Sequence, residues 1–347
     1  MANFPPSAVI VGRSLAGFMH GLVLKRHETN VTILEQEPAA TRSSHNAGIG
    51  FGPQVEELLR EYCDVAGVEG YYAPAVKTRL AFRKRENFKE INVVRHLTSW
   101  VLLYRILRAN FDGFASSTIP NPPPPQEMME MLIHFMFIDA TTGKEPSLTA
   151  DLLIGADGIN SIIRELVLPS KTPTCSPKNE YSGYIAWRGT VPETSVSAST
   201  RQYFSNRTCA NILPRSSIIT YTIPSDGVVT DDNDSSHASP RQRLINFVWC
   251  LPLPSDSPTI DVRSPNRHNQ KTPPKHHPVP TGLIQPQIWN QQKTPIMLNL
   301  MAEPFAELIS TCDITLVLLT KVNDTVCPNT ASFHNGKVFL VGVALVA

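Results

Sequence analysis

VIVGRSLAGFMHGLVLKRHETNVTILEQE, residues 9–37, reads as a strand, a tight turn, a helix and a second strand closed by an acid. Val9, Ile10 and Val11 form a short apolar, β-branched run of the kind buried on both faces of a parallel sheet. Gly12-Arg13-Ser14-Leu15-Ala16-Gly17 follows in the register of G-x-G-x-x-G. Gly12 can make the sharp turn, and Gly17 lets the helix pack close to the sheet. The helix N-terminus then presents backbone N–H groups and a positive dipole end to a pyrophosphate. Ala16, His20, Val23 and Leu24 continue at helical spacing, and Val31 to Leu34 returns as the second strand. Glu35 lies 23 residues beyond Gly12, where a carboxylate bonds the ribose hydroxyls of an adenosine. Ser14 occupies the place of the middle glycine, and its small side chain hinders a close phosphate approach without excluding it. A carboxylate at position 35 repels a 2′-phosphate, so FAD or NAD is expected rather than NADP.

With 347 residues the chain is too long for one compact core and suits two domains. Its apolar content of 41% is ordinary for a globular protein, and a net charge of +1 carries no footprint for nucleic acid or an anionic membrane. The six cysteines are widely spaced with no C-x-x-C pair, so neither a zinc site nor a disulfide framework is indicated. His276-His277 sits among prolines and reads as solvated loop. The N-terminus lacks the basic start and apolar core of a secretory signal, and no apolar run is long enough to span a bilayer. A cytoplasmic location is the expectation.

Further along, Pro38 to Gly52 reads as a loop that is polar and then glycine-rich, Gln54 to Tyr62 as a surface helix, and Thr98 to Asp112 as an amphipathic helix capped by Thr98 or Ser99. Arg105, among the apolar residues of that helix, can be a snorkelling side chain or a ligand contact. Four consecutive prolines at 122–125 exclude a central strand. Met131 to Ile138 is a strand candidate. Leu152-Leu153-Ile154 is another apolar strand, running into GADGINSIIR at 155–164. This places Asp157 between glycines at a strand end, ahead of a polar turn and Arg164. It reads as a ribose- or pyrophosphate-facing acid, or as a plain glycine turn.

Pro169 to Tyr181 reads as a linker. Between Tyr184 and Trp249 the runs YIAWRGTV, RQYFS, SIITYTI and LINFVWC predict short strands of an antiparallel sheet with one wet face. Pro252 to Pro280 reads as a long loop, Ile296 to Ile309 as helical, and Lys337 to Ala347 as a final strand.

In their order, VIVGRSLAG (9–17), VTILEQ (31–36), LLYRILRANFDG (102–113), ADLLIGADGINSIIR (150–164), YIAWRGTVPE (184–193) and GKVFLVG (336–342) resemble the FAD-dependent aromatic hydroxylases. This is the para-hydroxybenzoate and salicylate hydroxylase superfamily, and the likeness is nearest to its 2,6-dihydroxypyridine 3-monooxygenase-like branch. The resemblance implies an α/β fold: a Rossmann-like FAD-binding domain (1–175), an inserted, mostly antiparallel substrate domain (176–330), and a return strand (331–347). It implies that Gly12, Arg13, Ser14, Leu15, Ala16, Gly17, Glu35 and Gln36 hold the ADP half of FAD. Arg105 then reaches the cofactor, and Asp157 with Gly158 serves FAD and a transient NAD(P)H. In such enzymes NAD(P)H reduces the flavin, and oxygen forms a C4a-hydroperoxyflavin that hydroxylates an aromatic or N-heteroaromatic ring lying on the antiparallel sheet. No residue is singled out as a general base, no metal is implied, and the partners are a small aromatic substrate and oxygen.

Three features depart from the family pattern. Its G-D pair at the end of the last strand is here Gly342-Val343, which removes an acceptor for the ribityl chain. The chain stops four residues past Val343, where the family continues into helices over the flavin ring, so a C-terminally truncated member is expected. The region from Gly113 to Ile138 is short and proline-rich for the usual strand pair. An active monooxygenase, an impaired member with weak or no FAD binding, and an NAD-binding scaffold without oxygen chemistry are thus the three readings.

Overall fold

The computed structural model describes residues 4–36, 47–83, 88–124, 135–136, 147–168, 178–225, 242–255, 257, 284, 286–324 and 330–345. The chain opens with β1 (Ser7–Val11), α1 (Leu15–Arg26), β2 (Asn30–Leu34), β3 (Gly48–Phe51), α2 (Pro53–Tyr62), β4 (Ala73–Phe82), β5 (Phe88–Ser99) and α3 (Trp100–Asp112). Next come β6 (Phe135–Met136), β7 (Ser147–Leu148), β8 (Leu152–Gly155), α4 (Ile162–Val167), β9 (Glu180–Pro192), α5 (Ala198–Phe204), β10 (Arg207–Leu213) and β11 (Ser216–Pro224). The remainder is β12 (Arg243–Pro252), α6 (Pro286–Gln292), α7 (Pro295–Leu300), α8 (Glu303–Thr311), β13 (Leu318–Asp324), β14 (Ser332–Phe333) and β15 (Val338–Leu340).

These elements form the expected mixed α/β fold with two principal sheets. The first has the strand order β14-β15-β8-β1-β2. Its β15, β8, β1 and β2 are parallel, and β14 is antiparallel. Ile10, Val31 and Ile154 are buried beneath Leu24 of α1 on one face, while Ile163, Val338 and Leu340 pack on the other. Burial on both faces is what the β-branched run of β1 anticipates. The helix α3 lies against α1 through Phe18, whose ring meets Tyr104 edge-on at 5.5 Å. Ser99 Oγ caps α3 by accepting from Leu102 N at 3.0 Å, and Gly113 ends it in the left-handed region at φ 68°.

The second sheet has the order β13-β9-β12-β11-β10-β4-β5-β3. It is antiparallel except where β10 runs parallel to β4. Cross-strand partners share a face, and successive residues alternate between faces. Trp187, Phe247 and Trp249 therefore point to one side, where they are fully buried with Trp289 of α6 and Phe305, Leu308 and Ile309 of α8. Trp289 is the centre of this core, 5.3 Å from the Trp187 ring and 6.4 Å from Trp249. Arg188, Thr190, Tyr221 and Asn246 point to the opposite side.

Several local expectations are corrected. Gly48 to Phe51 is a strand and not loop, paired with β5. Its glycines let it lie on the second sheet, where a Cβ at position 48 would stand 2.7 Å from Asn246 Cγ and from Tyr221 Cε2. RQYFS belongs to helix α5 and not to a strand. Ser197 caps that helix, and Glu307 of α8 accepts from Ser197 N, Ser197 Oγ and Thr200 Oγ1. The hairpin β4–β5 and strand β10 have no counterpart in the strand pattern of the sequence. The helical stretch from Ile296 is two helices, with Pro304 in the first turn of the second. The final strand ends at Leu340 and gives way to a 3₁₀ turn at Gly342–Ala344. Most of the Met131–Ile138 candidate, and His276-His277, lie outside the described residues.

Trp289→Ala removes the ring on which three aromatic side chains converge. It is expected to lower unfolding stability by about 3–5 kcal/mol, read from denaturant titration.

Candidate functional site

Three connections meet at the carboxyl ends of β1, β8 and β15, the place where open α/β sheets hold their ligands. The first is the turn after β1. Gly12 sits at φ +109°, and its N–H donates to Leu34 O at 2.8 Å. A Cβ there would collide with Ala156 O and stand 2.8 Å from Asp157 Cα, so only glycine admits the neighbouring connection. A Cβ at Gly17 would collide with Gly12 O, which sets how close α1 comes to the turn. Ser14 is the N-cap residue of α1, yet its side chain makes no capping bond, and no acid occupies the first turn. The start of this twelve-residue helix is therefore open on the turn side, with Leu15 and Ala16 in its first turn.

Glu35 follows β2 directly, and its Oε2 accepts from Arg13 N at 2.9 Å. The acid thus reaches back onto the turn. Gln36 beside it is exposed.

The second connection runs from β8 into α4. Gly158 turns at φ +80°. Asp157 Oδ2 accepts from Ile162 N at 2.7 Å and Ile163 N at 3.1 Å, and its Oδ1 accepts from Ser161 Oγ. Ser161 Oγ in turn accepts from Arg164 N at 2.9 Å. Asp157 is therefore a helix-capping carboxylate as well as the acid at the sheet's mouth.

The third connection follows β15. Gly342 is left-handed at φ +58°, and a Cβ there would stand 2.9 Å from Ala16 Cβ. Val343 is 54% exposed, and its Cγ2 lies 4.0 Å from the Cβ position of Gly158. An apolar side chain thus stands free at the point where the two glycine turns face each other.

Arg164 ties these connections together. Its side chain is 1% exposed, and it donates to Ile159 O at 2.6 Å, Ala344 O at 3.0 Å and Val343 O at 3.5 Å. The local sequence pattern assigns this arginine no role. Its position at the start of a short helix after a glycine turn was the available signal, but its carbonyl partners lie up to 180 residues away. Arg105 is half-buried on α3, where its Nη1 donates to Thr118 Oγ1 at 2.6 Å in the segment after that helix. Gly12 to Gly17, Glu35, Asp157 and Gly158 are brought to one edge.

Elsewhere, Cys63, Cys209, Cys250 and Cys312 are free thiols. Burial pushes Cys209 and Cys312 up to about 12, which makes them inert at neutral pH. No helix among the described residues is long and apolar enough to cross a membrane.

Residues 181–324 match a family model described as FAD binding domain-like. Among curated relatives, 6-hydroxynicotinate 3-monooxygenase of Pseudomonas fluorescens is 27% identical over 207 residues, covering 56% of this chain and 49% of its own. The 2,6-dihydroxypyridine 3-monooxygenase of Paenarthrobacter nicotinovorans is 24% identical over 258 residues, covering 73% and 57%. The chain thus spans about half the length of the curated relatives it matches. Among solved structures, 2,6-dihydroxypyridine-3-hydroxylase from Arthrobacter nicotinovorans superposes with a TM-score of 0.72 at 19% identity, over 100% of this chain and 78% of that one. A salicylate hydroxylase substrate complex superposes with a TM-score of 0.59 at 14% identity, over 99% and 74%.

Gly12→Ala forces a Cβ into the Ala156 carbonyl at an unfavourable φ. It is expected to lower stability by about 2–4 kcal/mol, read from chemical denaturation. Arg164→Met leaves buried carbonyls without donors. About 3 kcal/mol of stability is expected to go with it, and protection of the amides in α4 should fall in hydrogen exchange.

Proposed function

We infer that this chain, an FAD-dependent aromatic hydroxylase in its fold and its sequence kinship, binds FAD and hydroxylates a small aromatic or N-heteroaromatic ring with NAD(P)H and oxygen. The observation that carries this reading is the meeting of the Gly12 turn, the Gly158 turn and the Gly342 turn at one edge of the parallel sheet. The residues present fit the ADP half of FAD. The uncapped start of α1 offers N–H groups and a positive dipole end to the pyrophosphate, and Ser14 adds a hydroxyl at the same place. Glu35, held against Arg13 N, stands at the end of β2 for the adenosine ribose. Asp157 and Gly158 shape the opposite wall. Bound FAD supplies the electron transfer and oxygen activation, and the chain's work is to hold it, orient the ring and keep water away.

Val343 favours a second reading, in which the chain retains flavin weakly. A carboxylate at this position would accept from the ribityl hydroxyls, and the loss of one such charge-assisted bond costs about 1.5–3 kcal/mol. Kinship with 6-hydroxynicotinate and 2,6-dihydroxypyridine monooxygenases supports a hydroxylated N-heteroaromatic substrate.

An absorbance scan of the purified chain decides between the readings. Yellow protein whose NAD(P)H oxidation rises when hydroxypyridines or phenols are added is the expected result. Colourless protein that takes up no added FAD removes the oxygenase reading. Val343→Asp should tighten FAD binding at least about tenfold, read by fluorescence titration. Unchanged affinity would mean that the Gly342 turn does not face the cofactor.

A further inference from the structure

At the margin of the helix-covered face of the second sheet, three cations gather around one carboxylate. Lys77 of β4 and Arg207 of β10 are paired directly in register, and Arg79, two residues on, is paired with Cys209. Glu90 of β5 lies opposite Arg79. Residues two apart on a strand share a face, so all four side chains project to the side on which Cys209 and Ala81 are buried. Tyr221 and Asn246 project to the other side. Adjacent strands lie about 4.8 Å apart, and like charges directly opposite each other repel, so the Lys77–Arg207 pair is kept at a cost.

Glu90 is committed to Arg79. Its Oε1 accepts from Arg79 Nε at 3.0 Å and Nη2 at 2.8 Å, and these bonds hold its carboxyl below the usual carboxylate range. The Arg79 guanidinium is fixed further by the Phe88 ring at 3.8 Å and the Tyr203 ring at 4.6 Å. The other two cations are poorly served. Lys77 Nζ stands 3.6 Å from Glu90 Oε2, and Arg207 Nη1 stands 3.9 Å from Glu90 Oε1 and 3.5 Å from Tyr203 O. Arg207 Nε has no hydrogen-bond partner at all. No second carboxylate reaches any of the three cations among the described residues, so three positive charges face one negative and two are left over.

We propose that Lys77 and Arg207 form a binding site for a phosphate group, with Arg79 and Glu90 as the frame beside it. The inference is independent of the hydroxylase reading, since the site lies on the far side of the sheet from its polar face. A phosphate dianion matches the two unbalanced charges, whereas a single carboxylate leaves one of them over. Lys77 supplies a compact point charge that is 49% exposed. Arg207 is 25% exposed, and with Nε unbonded its guanidinium is free to turn its Nε–Nη edge to a phosphate as two parallel donors. Arg79, held by Glu90 and two rings, keeps the carboxylate from neutralising the other two cations. The ligand is inorganic phosphate or the phosphate ester of a small molecule, which share this chemistry.

The test is calorimetric titration of the full chain with inorganic phosphate, with glycerol 3-phosphate and, as a monoanion control, with acetate. Saturable binding of at least one phosphate, about tenfold or more tighter than acetate, is the expected result. Lys77→Gln and Arg207→Gln should each weaken it about tenfold, and Glu90→Gln should tighten it, a gain that a purely structural ion network would not give. Without phosphate, Lys77→Gln should hold or raise Tm, because it relieves the like-charge pair. Tighter binding of the inorganic ion identifies free phosphate as the ligand, and tighter binding of the ester identifies a phosphorylated small molecule. Phosphate held at the start of α1 would be indifferent to these substitutions. Binding that survives unchanged in the Lys77→Gln, Arg207→Gln double variant therefore overturns the proposal, as does acetate matching phosphate or the absence of saturable phosphate binding.

Discussion

Everything at the functional edge depends on the buried guanidinium of Arg164. Its bonds to the carbonyls of Ile159, Val343 and Ala344 join the turn after β8 to the turn after β15. A charged donor in a dry setting holds carbonyls more firmly than a neutral one, so the two loops have little freedom relative to each other. Gly12 then fits against Ala156 with no room for a side chain, and Gly342 fits against Ala16. This edge of the parallel sheet is rigid because its loops are locked to one another, not because any one loop is stiff.

The two sheets meet different solvent demands, and that difference organises the molecule. The parallel sheet is covered on both faces, by α1 on one and by α4 with the last turn on the other. The larger sheet buries one face under α5 to α8 and keeps polar side chains on the opposite one. The chain passes from Glu35, at the parallel sheet's edge, to Gly48, whose N–H bonds Asn246 on that polar face. The parallel sheet's edge and the polar sheet face are thus neighbours along the chain.

The acids at this edge serve the protein's own fold. Glu35 anchors the Arg13 peptide, and Asp157 caps α4. Such local bonds hold each carboxylate in place before any ligand arrives, which lowers the ordering cost of binding. Val343 is the exception on this edge, an exposed apolar side chain among groups that otherwise donate or accept.

Much of this was readable from short-range pattern. The strand–turn–helix–strand of residues 9–37, the capped helix from Trp100 and the strand before GADG are encoded in local periodicity and in glycines whose conformations few other residues adopt. Strands β4, β5 and β10 were not readable, because their burial comes from partners remote in sequence: β10 pairs with β4 about 130 residues away. RQYFS shows the same limit, since its alternation imitates a strand while Ser197 and Glu307 select a helix.

The amino-acid sequence alone determined that a strand, a glycine turn and a helix come first, that a second glycine turn with an acid follows a later strand, and that β-rich segments come after that turn. Tertiary structure alone decided that Arg164 locks the turns together and that Arg188, Tyr221 and Asn246 share one face. The reason is physical. Backbone conformation and hydrophobic period are local properties of a chain, whereas the partner of a buried charge is set by whatever distant segment folds against it.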